Sequence, residues 1–158
     1  MRAKIAAVTL PESVPAGVVD LVCWRVEWAA ALASAVEASL PELAPPGSTG
    51  TTRSSPAPAR SSGSTGLMTR MGPGVLEIGY WLHTGHAGRE YATAAARALA
   101  DLGLAQPGIG SVLIRHDAAN VASGRGAEKA GFLRIADIPS TIDVPDGPGI
   151  EVRWERRG

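Results

Sequence analysis

Residues 75–132 read as strand, glycine-containing turn, helix, strand, Asn-containing turn and helix. That order constrains the fold more than any other feature of the chain. Two strands linked through a helix lie parallel in one sheet, and the right-handed crossover packs the connecting helix on the sheet face. In the first strand, 75–82, two-residue alternation places Leu76, Ile78, Tyr80 and Leu82 on one face. Gly79 in its middle signals a bulge or the close approach of another group. After a turn at 83–90, the helix 91–104 carries Ala92, Ala95, Leu99 and Leu102 on its apolar side. Gly108 and Gly110 break the chain, and 111–116 is the second strand. Asn120 suits the N-cap of a short helix over 120–130, and Gly131 suits its C-terminal stop. Strands follow at 132–136 and 150–155, joined by a long Pro- and Gly-rich hairpin loop. The second alternates Ile150, Val152 and Trp154 with Glu151, Arg153 and Glu155. The fold class is therefore α/β (mixed α+β), a mixed central sheet flanked by helices.

The N-terminal part is organised differently. Residues 18–40 place Val19, Val22, Val26, Ala29, Ala30, Ala33 and Val36 at helical spacing, which predicts an amphipathic helix ending before Pro41. Trp24 and Trp28 lie four apart on it and share a face suited to packing on a sheet. Residues 47–66 are Ser, Thr, Gly, Pro and Ala with two arginines, and they hold no large apolar side chain. Such a segment buries too little surface to offset its ordering entropy, so a flexible loop is expected, unusually long for a compact domain. The expected organisation is one domain, 1–158, with an N-terminal strand and helix segment (1–46), the loop (47–66) and a core (67–158).

Composition narrows the function. A chain of 158 residues is the size of one domain with a sufficient core. Its formal net charge is zero, which argues against a nucleic-acid surface or an electrostatic membrane anchor. Cys23 is the only cysteine, so neither an internal disulfide nor a cysteine zinc site is expected. His83, His86 and His116 have no metal-binding spacing, and each reads as a surface or capping residue. The apolar run 5–10 is too short for a signal segment, and no run approaches the roughly 20 residues that span a bilayer. A soluble, cytoplasmic protein is the expectation.

The turn 86–92 carries the chemistry. A helix that starts directly after a small-residue turn presents unpaired backbone N–H groups and the positive end of its dipole, which together favour phosphate. Gly88 lets an anion approach the backbone, and Arg89 offers a charged fork. Glu90 opposes them with a carboxylate. An ordinary surface loop is the competing reading at this point.

Read with their flanks, "EIGYWLHTGHAGREYATAAARAL" and "IRHDAANVASGRGAEKAGF" resemble the GNAT superfamily of acyl-CoA N-acyltransferases, in the branch that includes the RimJ and RimL ribosomal-protein N-terminal acetyltransferases. The resemblance covers about 66–154. The family cradle, Arg/Gln-x-x-Gly-x-Gly/Ala, aligns with Ala87-Gly88-Arg89-Glu90-Tyr91-Ala92, so Ala87 replaces the basic or amide position and Glu90 the central glycine. "WRVEWAAALASAVEASLPEL" is similar to the opening helix of the branch, and the Ser/Thr/Gly/Pro segment stands where further helix and strands build the acceptor site. A shortened N-terminal half follows, through a deletion, a frameshift or a natural loop.

The resemblance implies acetyl-CoA as co-substrate and no metal. Its pyrophosphate would lie on residues 87–92, and its pantetheine arm along Ile78, Gly79, Tyr80 and Trp81. Asn120 would bond that arm, with the helix cap as its competing role, and Ser123 would protonate the departing thiolate. Many members carry an acidic tyrosine where Ala127 stands here. The acceptor would be a primary amine, on a protein N-terminus or a small molecule, and its proton must go to a base or a water path. Glu77 is the candidate base, on the strand face shared with Gly79 and Trp81. A carboxylate at Glu90 against a diphosphate would weaken binding roughly several-hundred-fold. The alternative is therefore a non-catalytic, degenerate GNAT-like module. An incomplete sheet would also leave an edge that invites a homodimer.

Overall fold

The computed structural model of the protein describes residues 11–23, 33, 63–140 and 148–158. The expectations for 5–10, Trp24, Trp28 and 47–62 lie outside these residues. A short hairpin, β1 (Ser13–Pro15) and β2 (Asp20–Val22), precedes a five-stranded sheet. The sheet comprises β3 (Gly63–Met68), β4 (Val75–Leu82), β5 (Ser111–Asp117), β6 (Leu133–Pro139) and β7 (Ile150–Arg157), in the spatial order β3-β4-β5-β7-β6. Only β4 and β5 run parallel; every other neighbouring pair is antiparallel. Helix α1 (Tyr91–Leu104) makes the crossover between β4 and β5, and α2 (Val121–Lys129) links β5 to β6. The mixed α/β architecture expected from the sequence is the one observed. No helix among the described residues is long and apolar enough to cross a membrane.

Two elements differ from the sequence reading. The helix expected from residue 18 does not begin there, because Asp20–Val22 pairs with Ser13–Pro15. Gly17 at φ 71° allows the turn between them, and Ala16 N–H bonds Val19 C=O at 2.9 Å. The valines at 19 and 22 fit helical spacing as well as a hairpin, so periodicity alone misassigns them. Residues 63–66, expected within the flexible loop, are strand. They are held by a full ladder to β4, and the Thr65 hydroxyl donates to Gly79 C=O at 3.0 Å.

The core lies between one sheet face and both helices. Leu76 and Ile78 from β4, and Val112 and Ile114 from β5, pack with Ala96, Leu99 and Ala100 of α1, Ala127 and Ala130 of α2, and Phe132. Small residues bring α1 close to the sheet. A Cβ at Gly103 would stand 3.2 Å from both Leu76 Cδ1 and Val112 Cγ2. At Gly79 the close approach is by a side chain, since a Cβ there would lie 2.7 Å from Met68 Cε.

The other sheet face is charged. Strand alternation places Glu77, Arg115, Glu151 and Arg153 there, opposite the helices. Glu151 is fully buried and is bridged by Arg115 at 3.1 Å and Arg153 at 2.7 Å. Burial of such carboxylates is tolerated because guanidinium groups meet them in fixed geometry.

Candidate active site

The ladder between the two parallel strands stops halfway. β4 and β5 pair from Val75↔Ser111 to Ile78↔Ile114 and no further. Each strand nevertheless continues, β4 held by β3 as far as Leu82 and β5 held by β7 as far as Asp117. Residues 79–82 and 115–117 therefore flank a cleft at the carboxyl ends of parallel strands. Both helices begin at this end, and such crevices are where open α/β sheets receive ligands.

The turn leading into α1 is locally determined. His83 Nδ1 accepts from Gly85 N–H at 3.1 Å and starts a 3-10 turn, Thr84–His86, closed by Ala87 N–H on Thr84 C=O at 3.0 Å. Gly88 follows at φ 74°, with open space where a Cβ would stand. Glu90 is the N-cap of α1, and its φ of 61° makes it the one non-glycine residue in the left-handed region among those described. The first intrahelical bond, Ala94 N–H to Glu90 C=O, leaves the N–H groups of Tyr91, Ala92 and Thr93 without helical acceptors. Ala87, Gly88 and Arg89 are exposed beside them.

Glu90 keeps the backbone shape of the glycine it replaces, and its carboxylate is occupied. Lys129, in the last turn of α2, forms an ion pair with it. The Lys129 hydrogen bond, followed by one from Thr93, holds the Glu90 carboxyl below the usual carboxylate range. The expected penalty on an incoming diphosphate is therefore partly neutralised by a residue 39 positions away in the chain.

Ser123, Tyr80 and Asn120 meet on the helix side of the cleft. Asn120 Oδ1 accepts from Ser123 N–H at 3.0 Å, so the cap anticipated from sequence forms. The Tyr80 hydroxyl lies 2.8 Å from Ser123 Oγ. Burial raises the Tyr80 phenol above its ordinary value, and the Ser123 hydrogen bond offsets part of that rise. Ala127 is fully buried in the core, so the phenol nearest Ser123 comes from β4 rather than from α2.

Glu77 is only 3% exposed and sits in ion pairs. Arg70 holds it with Nε at 2.7 Å from Oε2 and Nη2 at 2.5 Å from Oε1, and Arg115 Nε lies 3.2 Å from Oε1. Burial alone would raise the Glu77 carboxyl, but the hydrogen bonds from Arg70 and Arg115 outweigh it and hold it below the usual range. A carboxylate bound this way accepts protons poorly, which counts against the base anticipated at this position. His116 also differs from the surface or capping residue expected, being 8% exposed. Its Nε2 accepts from Trp154 Nε1–H at 2.9 Å, and since indole only donates, the ring proton sits on Nδ1, 2.8 Å from Asp117 C=O. A ring held at both nitrogens cannot yield. A Cβ at Gly124 would stand 3.2 Å from His116 Nε2, so Gly124→Ala should lower the urea midpoint. The overpacking cost of about 1–3 kcal/mol exceeds the gain of roughly 1 kcal/mol in helix propensity.

Three neighbours of the cleft were passed over by the sequence reading: Lys129, Trp81 as a donor, and Asp117. Asp117 had a local signal, since its Oδ1 accepts from Ala119 N–H at 2.8 Å in an Asx turn. Among the described residues, no group of three or more His, Cys, Asp or Glu side chains could hold a metal ion.

Comparison with known proteins agrees with this architecture. An acetyltransferase of the GNAT family from Bacillus anthracis superposes with a TM-score of 0.55 at 21% identity, over 61% of this chain and 58% of its own. A probable acetyltransferase superposes with a TM-score of 0.56 at 23% identity, over 62% of this chain and 56% of its own. The chain thus spans less than two thirds of the length of either structure. RimL, a ribosomal L7/L12 alpha-N-protein acetyltransferase in complex with coenzyme A, superposes less closely, at a TM-score of 0.48 and 19% identity over 52% of this chain and 47% of its own. No curated protein sequence matches. The sequence pattern of the acetyltransferase (GNAT) domain matches residues 26–133, well over half of the chain. With a mixed sheet whose two parallel strands part in front of two helix N-termini, the chain belongs to the GNAT acetyltransferase family.

Proposed function

We propose that this chain transfers an acetyl group from acetyl-CoA to a primary amine, on a protein N-terminus or a small molecule, as the RimJ/RimL-like character of its two motif segments implies. The observation that carries this reading is the ladder that ends at Ile78↔Ile114 while both strands continue. It leaves strand backbone on each side without a ladder partner across the cleft, the kind of edge that an extended chain can pair with. Ile78, Gly79, Tyr80 and Trp81 flank that gap for the pantetheine arm. The unpaired amides at the start of α1, the open Gly88 and the exposed Arg89 suit a pyrophosphate. Acetyl-CoA, when bound, supplies the acetyl group as an activated thioester.

The residues of this chain do the rest. Asn120 spends its side-chain oxygen on the cap of α2 and retains its NH₂ as a donor toward the arm. Ser123 and Tyr80 form a hydroxyl pair that delivers a proton to the sulfur as the amine nitrogen bonds the acetyl carbon and the C–S bond breaks; the proton that the amine loses passes to water, which returns one to the pair. Glu77 fixes the strands through its arginines instead of moving protons. An exposed free thiol at Cys23 suits a reducing, cytoplasmic setting.

A second reading, a non-catalytic or degenerate GNAT-like module with weakened CoA binding, is favoured by Ala87, Glu90 and the shortened N-terminal half. One kinetic comparison separates the two. Release of free thiol from acetyl-CoA in the presence of primary amines is expected for the native chain, and Glu90→Gly should lower the KM for acetyl-CoA about tenfold with little change in kcat. Thiol release no faster than buffer from both proteins would support the degenerate module.

A further inference from the structure

Two polar atoms on the strands that flank the cleft, one from each side, are buried without hydrogen-bond partners. Asp117 is 8% exposed; its Oδ1 is used by the Asx turn, while its Oδ2 is buried and has no hydrogen-bond partner. Trp81 Nε1 is likewise buried without an acceptor. The β4–β5 register pairs Val75 with Ser111 and Ile78 with Ile114, and the same step carried past the end of the ladder sets Trp81 opposite Asp117. Alternation turns both toward the charged sheet face, away from Tyr80, Ser123 and the helices.

The charges on that face are matched except at this point. Glu77 is met by Arg70 and Arg115, and Glu151 by Arg115 and Arg153. Asp117, paired across the ladder with Glu151, has no cation among the described residues. A buried carboxylate oxygen without a partner is costly, and so is a buried donor without an acceptor. Both costs end when a ligand brings a cation to Asp117 and an oxygen to Trp81.

We propose that Asp117 Oδ2 anchors the ammonium group of the acceptor amine, and that Trp81 Nε1–H holds an oxygen atom beside it. The site rests on the acetyl-transfer reading of the same cleft. It assigns the two sheet faces separate tasks: the proton donors Tyr80 and Ser123 serve the sulfur on the helix face, and Asp117 positions the amine on the other.

The probe is alaninamide, which carries a primary ammonium next to a carbonyl oxygen, and the control is N-acetylalaninamide, which lacks the ammonium. Titrations are followed at the Trp81 indole N–H signal, assigned by its loss in Trp81→Phe. Alaninamide should shift that signal, and the control should bind at least tenfold more weakly. Asp117→Asn keeps an oxygen for the Asx turn and removes the charge, so it should weaken alaninamide at least tenfold while acetyl-CoA affinity, measured separately by calorimetry, stays unchanged. No response to alaninamide, equal binding of the control, or equal binding by Asp117→Asn would overturn the proposal. The comparison of the two probes on the native chain needs no variant. Failure of the native chain to bind acetyl-CoA would instead count against the acetyl-transfer reading.

Discussion

Ser123→Ala is expected to lower kcat roughly 100-fold, the lower end of the range for a positioned general acid, while acetyl-CoA affinity changes by no more than about twofold. The variant keeps its fold for a specific reason. Asn120 caps the backbone N–H of residue 123, which alanine retains. Tyr80→Phe should show a loss of similar size, because its hydroxyl is 2.8 Å from Ser123 Oγ and the proposed proton donor is the pair. Groups that act as a unit are not additive, so the double variant should be little slower than either single one. The pH profile gives an independent check. Burial raises the Tyr80 phenol above its ordinary value near 10, so the proton-donating form persists below that raised value and is lost only as pH rises through it. Single-turnover measurements with saturating acetyl-CoA would separate this loss from product release. A double variant slowed by the product of the two single effects would mean that the hydroxyls act independently.

Glu77→Gln is expected to cost about 3–5 kcal/mol of stability at neutral pH, because it removes one partner of a buried ion pair and leaves Arg115 with a single matched carboxylate. Arg70 is more than half exposed and can return to water, which favours the lower end of that range. The acid limb follows from the depressed Glu77 carboxyl. Its stabilisation is present above the unfolded value near 4.5 and is lost as pH falls through the lower folded value. Native and variant stabilities should therefore begin to converge as pH falls below about 4.5 and meet only below the lower folded value in urea titrations. Activity per folded molecule should change little, since the carboxylate is committed to its arginines. Loss of turnover without loss of stability would restore Glu77 as the base.

The architecture was legible where alternation and capping are local. Leu76, Ile78 and Tyr80 announce β4, and Asn120 and Gly131 bracket α2, with Gly131 at φ 88° as a C-terminal stop requires. It was not legible where the sheet itself supplies the order. Gly63–Met68 is low in apolar content and becomes a strand through its ladder to β4, an interaction that no window of its own sequence contains. The site divides in the same way. The glycine turn and the cap could be read directly, but the pairings that decide its chemistry span long intervals: 39 residues for Glu90 and Lys129, 43 for Tyr80 and Ser123. Only tertiary packing shows that Glu90 meets Lys129 and that the phenol beside Ser123 comes from β4 and not from α2. The β4–β5 register, from which the level of Trp81 and Asp117 is extrapolated, likewise joins residues 36 positions apart.

The account rests on one claim, that the parted strands and the start of α1 form a working acetyl-CoA site despite Glu90 and Ala87. Calorimetric titration of acetyl-CoA into the native chain tests it most directly. The expected result is saturable binding at one site per chain, tightened about tenfold in Glu90→Gly. Absence of binding heat at several temperatures for both the native chain and Glu90→Gly would contradict it.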